Sequence, residues 1–244
     1  MRLIIDGVAV IPGAVVGDEL QNIRDAFELQ ADKLGSRAFE WDGFCQSPGL
    51  MQYICHPALM AVMDAFMAHF DQQCAFTCCS GARDVYEPSN ETQQANARQP
   101  DIRNVGWHDD VMGMKNPLYT FTAESVSSLL YMDDTFENNG AYCTALGSHH
   151  LARRGPNDEA LIANAQLVFD HCKLCQVPVT AGSIILHRAH NWHGVMSPRQ
   201  NRRLIITTFA VKAFYELQRG HTQLTPDQIA QLPADRHKYI THYA

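Results

Sequence analysis

The spacing of apolar residues along this 244-residue chain changes character near residue 103, and that change restricts the fold more than any other feature. Before it, apolar side chains recur every three or four positions. Leu20, Ile23, Phe27, Ala31 and Leu34, behind the acidic pair Asp18 and Glu19, predict a helix with one buried stripe. A second helix is predicted from His56-Pro57, with proline at the tolerated first position and Leu59, Val62, Met63, Phe66 and Phe70 along one face. Met60, Met63 and Met67 read as packing residues, not metal ligands. Residues 3–11, rich in Ile and Val around Asp6-Gly7 and closed by Ile11-Pro12-Gly13, predict a short strand and turn. After residue 103 short β-prone runs alternate with Gly, Asn, Asp and Pro, predicting strands near 103–110, 125–132, 141–146, 174–180, 183–187 and 203–211. The polar stretch 151–171 is an excursion, partly helical around 158–168, and Thr225-Pro226-Asp227 caps a short terminal helix. The expected class is therefore mainly β with flanking helices, a sandwich or jelly roll.

A hydrophobic fraction of 46% against 18% charged residues excludes disorder as the main state, and the length suits one domain spanning 1–244. Within it we read an N-terminal strand and supporting helices over 1–100, a jelly-roll core over 101–215 and a tail over 216–244. No run reaches the roughly 18 apolar residues that a membrane span needs, and Asp6 comes too early for a signal peptide, so the expected address is the cytoplasm. The formal charge of −7 predicts no general attraction to nucleic acid or to an anionic membrane; Arg199, Arg202 and Arg203 form the best local basic cluster. The eight cysteines lack regular spacing and read as reduced thiols. His171, Cys172 and Cys175 resemble half of a zinc knuckle, but the other half would have to come from Cys74, Cys78 and Cys79, which do not match it.

Three elements carry chemistry. In Trp107-His108-Asp109-Asp110 the alternation of a strand puts His108 and Asp110 on one side. In Gly182-Ser-Ile-Ile-Leu-His187-Arg188-Ala-His190-Asn-Trp-His193-Gly194 a strand runs into a loop bearing three histidines, any of which can supply a third ligand. Two imidazoles and one carboxylate from separate strands make the facial triad that holds Fe(II) and leaves positions open for substrate and oxygen. The same ligands in a cupin-like shape would also serve a metal-dependent hydrolase or isomerase, which normally calls for a nearby Glu base. Arg202, where the next loop re-enters a strand, can grip a carboxylate through two parallel hydrogen bonds.

In this order the pieces resemble the phytanoyl-CoA dioxygenase-like group of Fe(II)/2-oxoglutarate oxygenases over most of the chain. The segment from Asp6 to Gly13, the His108-x-Asp110 site, Asn139-Gly140 leading to Gly147-Ser148-His149, and Gly182 through His193-Gly194 to Arg202 each match, with Leu146 where proline is usual. The resemblance implies a double-stranded β-helix, a cupin-like jelly roll. It implies Fe(II) held by His108, Asp110 and His193, with His187 the second choice for the distal ligand. It further implies 2-oxoglutarate as co-substrate, its far carboxylate on Arg202 helped by Ser127, Ser128 or Thr208, with Arg203 the alternative to Arg202. Oxygen would then be consumed with release of succinate and CO2, and a small-molecule metabolite hydroxylated. The carboxylate of Asp110 argues against halogenation. Candidate substrate contacts are Trp107, Met112, Met114, Tyr119, Tyr131, Asp133 and Trp192, and segments 111–124 and 151–172 with the N-terminal helices are expected to close the mouth.

Overall fold

The computed structural model describes residues 2–98, 100–110, 125–151, 166–212 and 224–240. Its strands are β1 (Val8–Ile11), β2 (Ala38–Phe39), β3 (Cys74–Asp84), β4 (Ser125–Tyr131), β5 (Tyr142–Ala145), β6 (Leu174–Val177), β7 (Ile184–Arg188), β8 (His193–Val195) and β9 (Arg202–Val211). β9 organises the larger sheet. Its β-branched run, Leu-Ile-Ile-Thr-Thr, favours extended backbone, and it pairs antiparallel with β3 on one side and β4 on the other. The full order is β1-β7-β4-β9-β3-β2; a second sheet has the order β6-β5-β8.

Alternation then sorts the side chains of the larger sheet onto two buried faces. Val126, Leu130, Ile184, Leu186, Ile205 and Phe209 pack against Leu20, Ile23 and Phe27 of the helix Gly17–Leu34 and against Leu59, Met63 and Phe66 of the helix Pro57–Ala68. Leu129, Tyr131, Ile185, Leu204 and Ile206 point the other way and meet Tyr142 and Val177 of the smaller sheet. Each fully buried apolar side chain contributes about 1.5–3 kcal/mol, so slipping any strand by one residue, which exchanges the two faces, is strongly disfavoured. The result is a jelly roll: two antiparallel sheets around a common interior, with helices on the outside of the larger.

The two predicted helices form, and the Thr225 cap is a complete capping box with Gln228. Three expectations need correction. Residues 3–11 are not one strand: Arg2–Ile5 is a helical turn, closed by the Arg2–Asp6 ion pair, and extended pairing starts only at Val8. Residues 103–110 hold only one bridge, His108 to His193, because Ile102–Asn104 is a 3₁₀ turn whose cap, Asp101, accepts from the Arg103 amide. The 11-residue strand β3 lies in the region read as helical. Its sequence, CAFTCCSGARD, is small and mixed, it carries a bulge between Phe76 and Cys78, and its length comes from pairing with β9.

Candidate metal centre

One row of side chains crosses the larger sheet on its interior face. Register places His187 of β7 beside Ser127 of β4, Ser127 beside Thr208 of β9, and Thr208 beside Cys78 of β3. Asp110 lies over this row. Its Oδ2 accepts a hydrogen bond from Ser127 Oγ (2.8 Å), and His187 Nε2 lies 3.8 Å from the same oxygen. The other oxygen, Oδ1, stands 3.4 Å from His193 Nε2.

The histidines arrive from the other sheet already oriented. His108 and His193 exchange both backbone hydrogen bonds, N to O at 3.0 and 2.8 Å, so their rings lie side by side with centroids 4.3 Å apart. His108 Nδ1 donates to Gly106 O and His193 Nδ1 donates to Asn191 O, each at 2.9 Å. A carbonyl can only accept, so both rings carry their proton on Nδ1 and keep a lone pair on Nε2, that of His193 facing Asp110. Among the described residues His108, Asp110 and His193 are the one group of three metal-capable side chains whose ligand atoms all lie within 4.8 Å of one another.

Electrostatics in this cluster call for a cation. Burial, reinforced by the adjacent His187, pushes His193 below the ordinary imidazole range. Burial acts to raise Asp110, but His187, His193, the Ser127 hydroxyl and His108 outweigh it and the carboxyl titrates below its usual range. A carboxylate oxygen and an imidazole lone pair facing each other at 3.4 Å repel; a divalent ion between them turns the repulsion into ligation. Neighbouring ligands at roughly 2.1 Å from an octahedral ion stand about 3 Å apart, close to this spacing. Two imidazoles and one carboxylate on one side of an ion, with the opposite positions open, is the donor set suited to Fe(II) oxygenases.

The loop that delivers His193 is braced from beneath. Asn191 is fully buried; its Nδ2 donates to Thr144 Oγ1 (2.7 Å), and its Oδ1 accepts from Ser148 Oγ (3.1 Å), which in turn accepts from the Trp192 amide (2.8 Å). Gly7 closes the packing. It sits at φ +79°, and a Cβ there would lie 2.3 Å from Asn191 Oδ1 and 2.4 Å from His149 Nδ1. Gly194 is likewise required, since a Cβ would meet Val105 at 2.6 Å.

Comparison with known proteins decides the family. The model of the phytanoyl-CoA dioxygenase (PhyH) family matches residues 5–197, most of the chain and all three candidate ligands. The chain belongs to the phytanoyl-CoA dioxygenase family. It is accordingly an iron- and 2-oxoglutarate-dependent enzyme. A search among curated protein sequences found no match. Solved structures share the fold. They include the non-haem α-ketoglutarate-dependent carbocyclase SnoK from nogalamycin biosynthesis (14% identity, 86% of this chain and 81% of that one, TM-score 0.65). The epimerase SnoN, in complex with Fe3+, α-ketoglutarate and nogalamycin RO, is similar at 16% identity over 93% and 94% of the chains (TM-score 0.65). HygX from Streptomyces hygroscopicus, with nickel and 2-oxoglutarate bound, is similar at 18% over 86% and 84% (TM-score 0.61).

The remaining residues singled out from the sequence of this PhyH-family chain fall in several places. Arg202 and Tyr131 point into the jelly-roll interior beyond the triad. The buried Arg202 donates through Nε and Nη2 to Asp84 and through Nη1 to Gly140 O, with its guanidinium 5.7 Å over the Tyr131 ring. Arg203 faces the helices and is ion-paired with Asp133 and Glu28, which takes both Arg203 and Asp133 away from the triad. Ser128 also faces the helices, hydrogen-bonded to Thr207 Oγ1 at 2.8 Å, while Thr208 shares the interior row with Ser127. Trp107 and Trp192 pack into an apolar cluster with Ala145 and Val168, and Trp107 donates to Ile102 O. Met112, Met114 and Tyr119 lie outside the described residues, as do all of 111–124 and most of 151–172. His187, named only as a fallback ligand, proves to be a third imidazole against the triad, its ring 4.2 Å from that of His193. Asn191, Asp84 and Tyr142 carry no sequence signal that would have singled them out.

Proposed function

We propose that this protein hydroxylates a small organic molecule, using 2-oxoglutarate and O2 and releasing succinate and CO2, with His108, Asp110 and His193 as the iron ligands. The single observation that carries the reading is the pair of pre-oriented Nε2 lone pairs converging with Asp110 Oδ1. When bound, iron together with 2-oxoglutarate would supply the activation of oxygen, and His108, Asp110 and His193 would hold the metal. The chain supplies the rest. Ser127 donates to Asp110 Oδ2 and His187 stands 3.8 Å from it, which favours ligation through Oδ1 alone and keeps coordination positions open. Asp110 itself fills the place that a halide needs in the halogenases, which favours hydroxylation over halogenation. Arg202 is assigned to the far carboxylate of 2-oxoglutarate, because it is buried at the interior end of β9 and a buried carboxylate requires a cationic partner. The substrate enters over the rim formed by His108 and Asp110, the two exposed members of the triad.

The test is succinate release by anaerobically reconstituted protein, started with O2 in the presence of a panel of small metabolites. A productive substrate should give stoichiometric succinate and a product one oxygen atom heavier. Arg202→Ala should raise the KM for 2-oxoglutarate by two orders of magnitude or more while leaving iron content unchanged. Wild-type protein that holds iron yet neither binds nor consumes 2-oxoglutarate would sink this reading.

A further inference from the structure

We infer that Tyr131 and Tyr142 complete the seat of the far carboxylate of 2-oxoglutarate, each donating its phenolic hydrogen to it beside Arg202; this rests on the co-substrate assignment above. Both side chains are fully buried, and neither hydroxyl has a hydrogen-bond partner among the described residues. A buried hydroxyl left unpaired costs about 1–3 kcal/mol, and two in one interior cluster are unusual unless a ligand accepts from them. Leu129, Ile185 and Leu204 beside them offer no side-chain acceptor, and His187, whose ring lies 5.6 Å from that of Tyr142, is not hydrogen-bonded to it.

Their placement follows the direction the co-substrate must run. Tyr142 opens β5, and its ring stacks on His193 with centroids 5.6 Å apart and planes 16° from parallel, so it adjoins the ligand end. Tyr131 closes β4 opposite Leu204, and its ring lies under the Arg202 guanidinium, so it adjoins the anchoring end. The two rings belong to one interior cluster, with His193 beside one and Arg202 beside the other.

The donor count at Arg202 explains why further donors are needed. Of its five N–H groups, two go to Asp84 and one to Gly140 O, which leaves one on Nη1 and one on Nη2. Asp84 also balances the charge of the guanidinium. A carboxylate offers about four acceptor sites, and the two phenols supply what the arginine, shared with Asp84, does not. Burial raises both phenols above their ordinary pKa near 10, so they are protonated donors at neutral pH.

The test uses the full chain loaded with Mn(II) under anaerobic conditions and titrated calorimetrically with 2-oxoglutarate and, separately, with pyruvate. Pyruvate keeps the chelating keto acid but lacks the far carboxylate. Tyr131→Phe and Tyr142→Phe each remove one oxygen and preserve the ring. Each should weaken 2-oxoglutarate about tenfold or more, the range for a hydrogen bond to a charged group, while pyruvate binding stays at the wild-type value. The ligand-free variants should unfold at the same temperature as wild type or higher, since an unpaired hydroxyl has been removed. Phe variants that bind 2-oxoglutarate as wild type does, or that lose pyruvate and 2-oxoglutarate equally, overturn the inference. Wild-type protein that takes pyruvate but shows no preference for 2-oxoglutarate overturns instead the co-substrate assignment beneath it.

Discussion

At the scale of single residues, the two oxygens of Asp110 have different neighbours and so different work. Oδ1 faces the lone pair of His193, whereas Oδ2 is tied to the Ser127 hydroxyl and approached by His187. Groups that fix a ligand in this way typically change metal affinity by 10–100-fold when removed. Ser127→Ala should therefore weaken Mn(II) or Fe(II) binding by about that factor with the circular dichroism spectrum unchanged, as a metal titration would show. An unaltered metal affinity would assign Ser127 elsewhere. The family resemblance implies Ser127 as a helper for 2-oxoglutarate; among the described residues its side-chain hydrogen bond is to Asp110, a candidate metal ligand.

At the scale of elements, the turn Gly147-Ser148-His149 and the loop from Arg188 to His193 behave as one braced unit. Ser148 and Asn191 join them, and the Gly147 amide donates to Asp6 O, so the N-terminal segment is bound into the same network. His149 fills the space between, buried, with Nε2 donating to Ile4 O at 3.0 Å. Burial, followed by the charge of Arg188, holds its imidazole down to about 4, against about 6.5 in an unfolded chain. Between those values the unfolded chain binds the proton and the native state does not. Stability thus rises with pH across this window and is lost as pH falls from about 6.5 toward 4. The urea midpoint of wild type should fall more steeply over that range than that of His149→Gln, which can still donate to Ile4 O. Equal pH slopes would show that His149 is not the group responsible.

At the scale of the whole molecule, the packing between the larger sheet and the helices contains none of the three candidate ligands, so the jelly roll does not depend on the metal for its core. No described helix is long and apolar enough to cross a membrane. Stripping the metal with a chelator should leave the far-UV circular dichroism intact. Restoring Mn(II) at about a hundredfold over its Kd should raise stability by about 2.7 kcal/mol, or roughly 5–10 °C in Tm for a chain of this size. 2-Oxoglutarate should add a second increment only when metal is present, and Arg202→Ala should keep the first and lose the second. Loss of helix and strand signal on chelation would contradict a metal-independent core.

What the amino-acid order determined by itself was whatever depends on local spacing. The two amphipathic helices, the Thr225 cap, most strands beyond residue 125 and the His108-x-Asp110 pair were legible because each is specified by residues within one or two turns of chain. β3 was not legible, because CAFTCCSGARD has no periodicity of its own and is held extended by β9, more than a hundred residues away. The same holds for the partner of each polar group. That Arg202 meets Asp84 and Arg203 meets Asp133, that Ser127 and Ser128 serve opposite faces, and that the buried Tyr131 and Tyr142 side chains join one interior cluster are consequences of strand register. Register is fixed by burying both faces of the larger sheet at once, a long-range free energy that no short stretch of sequence contains.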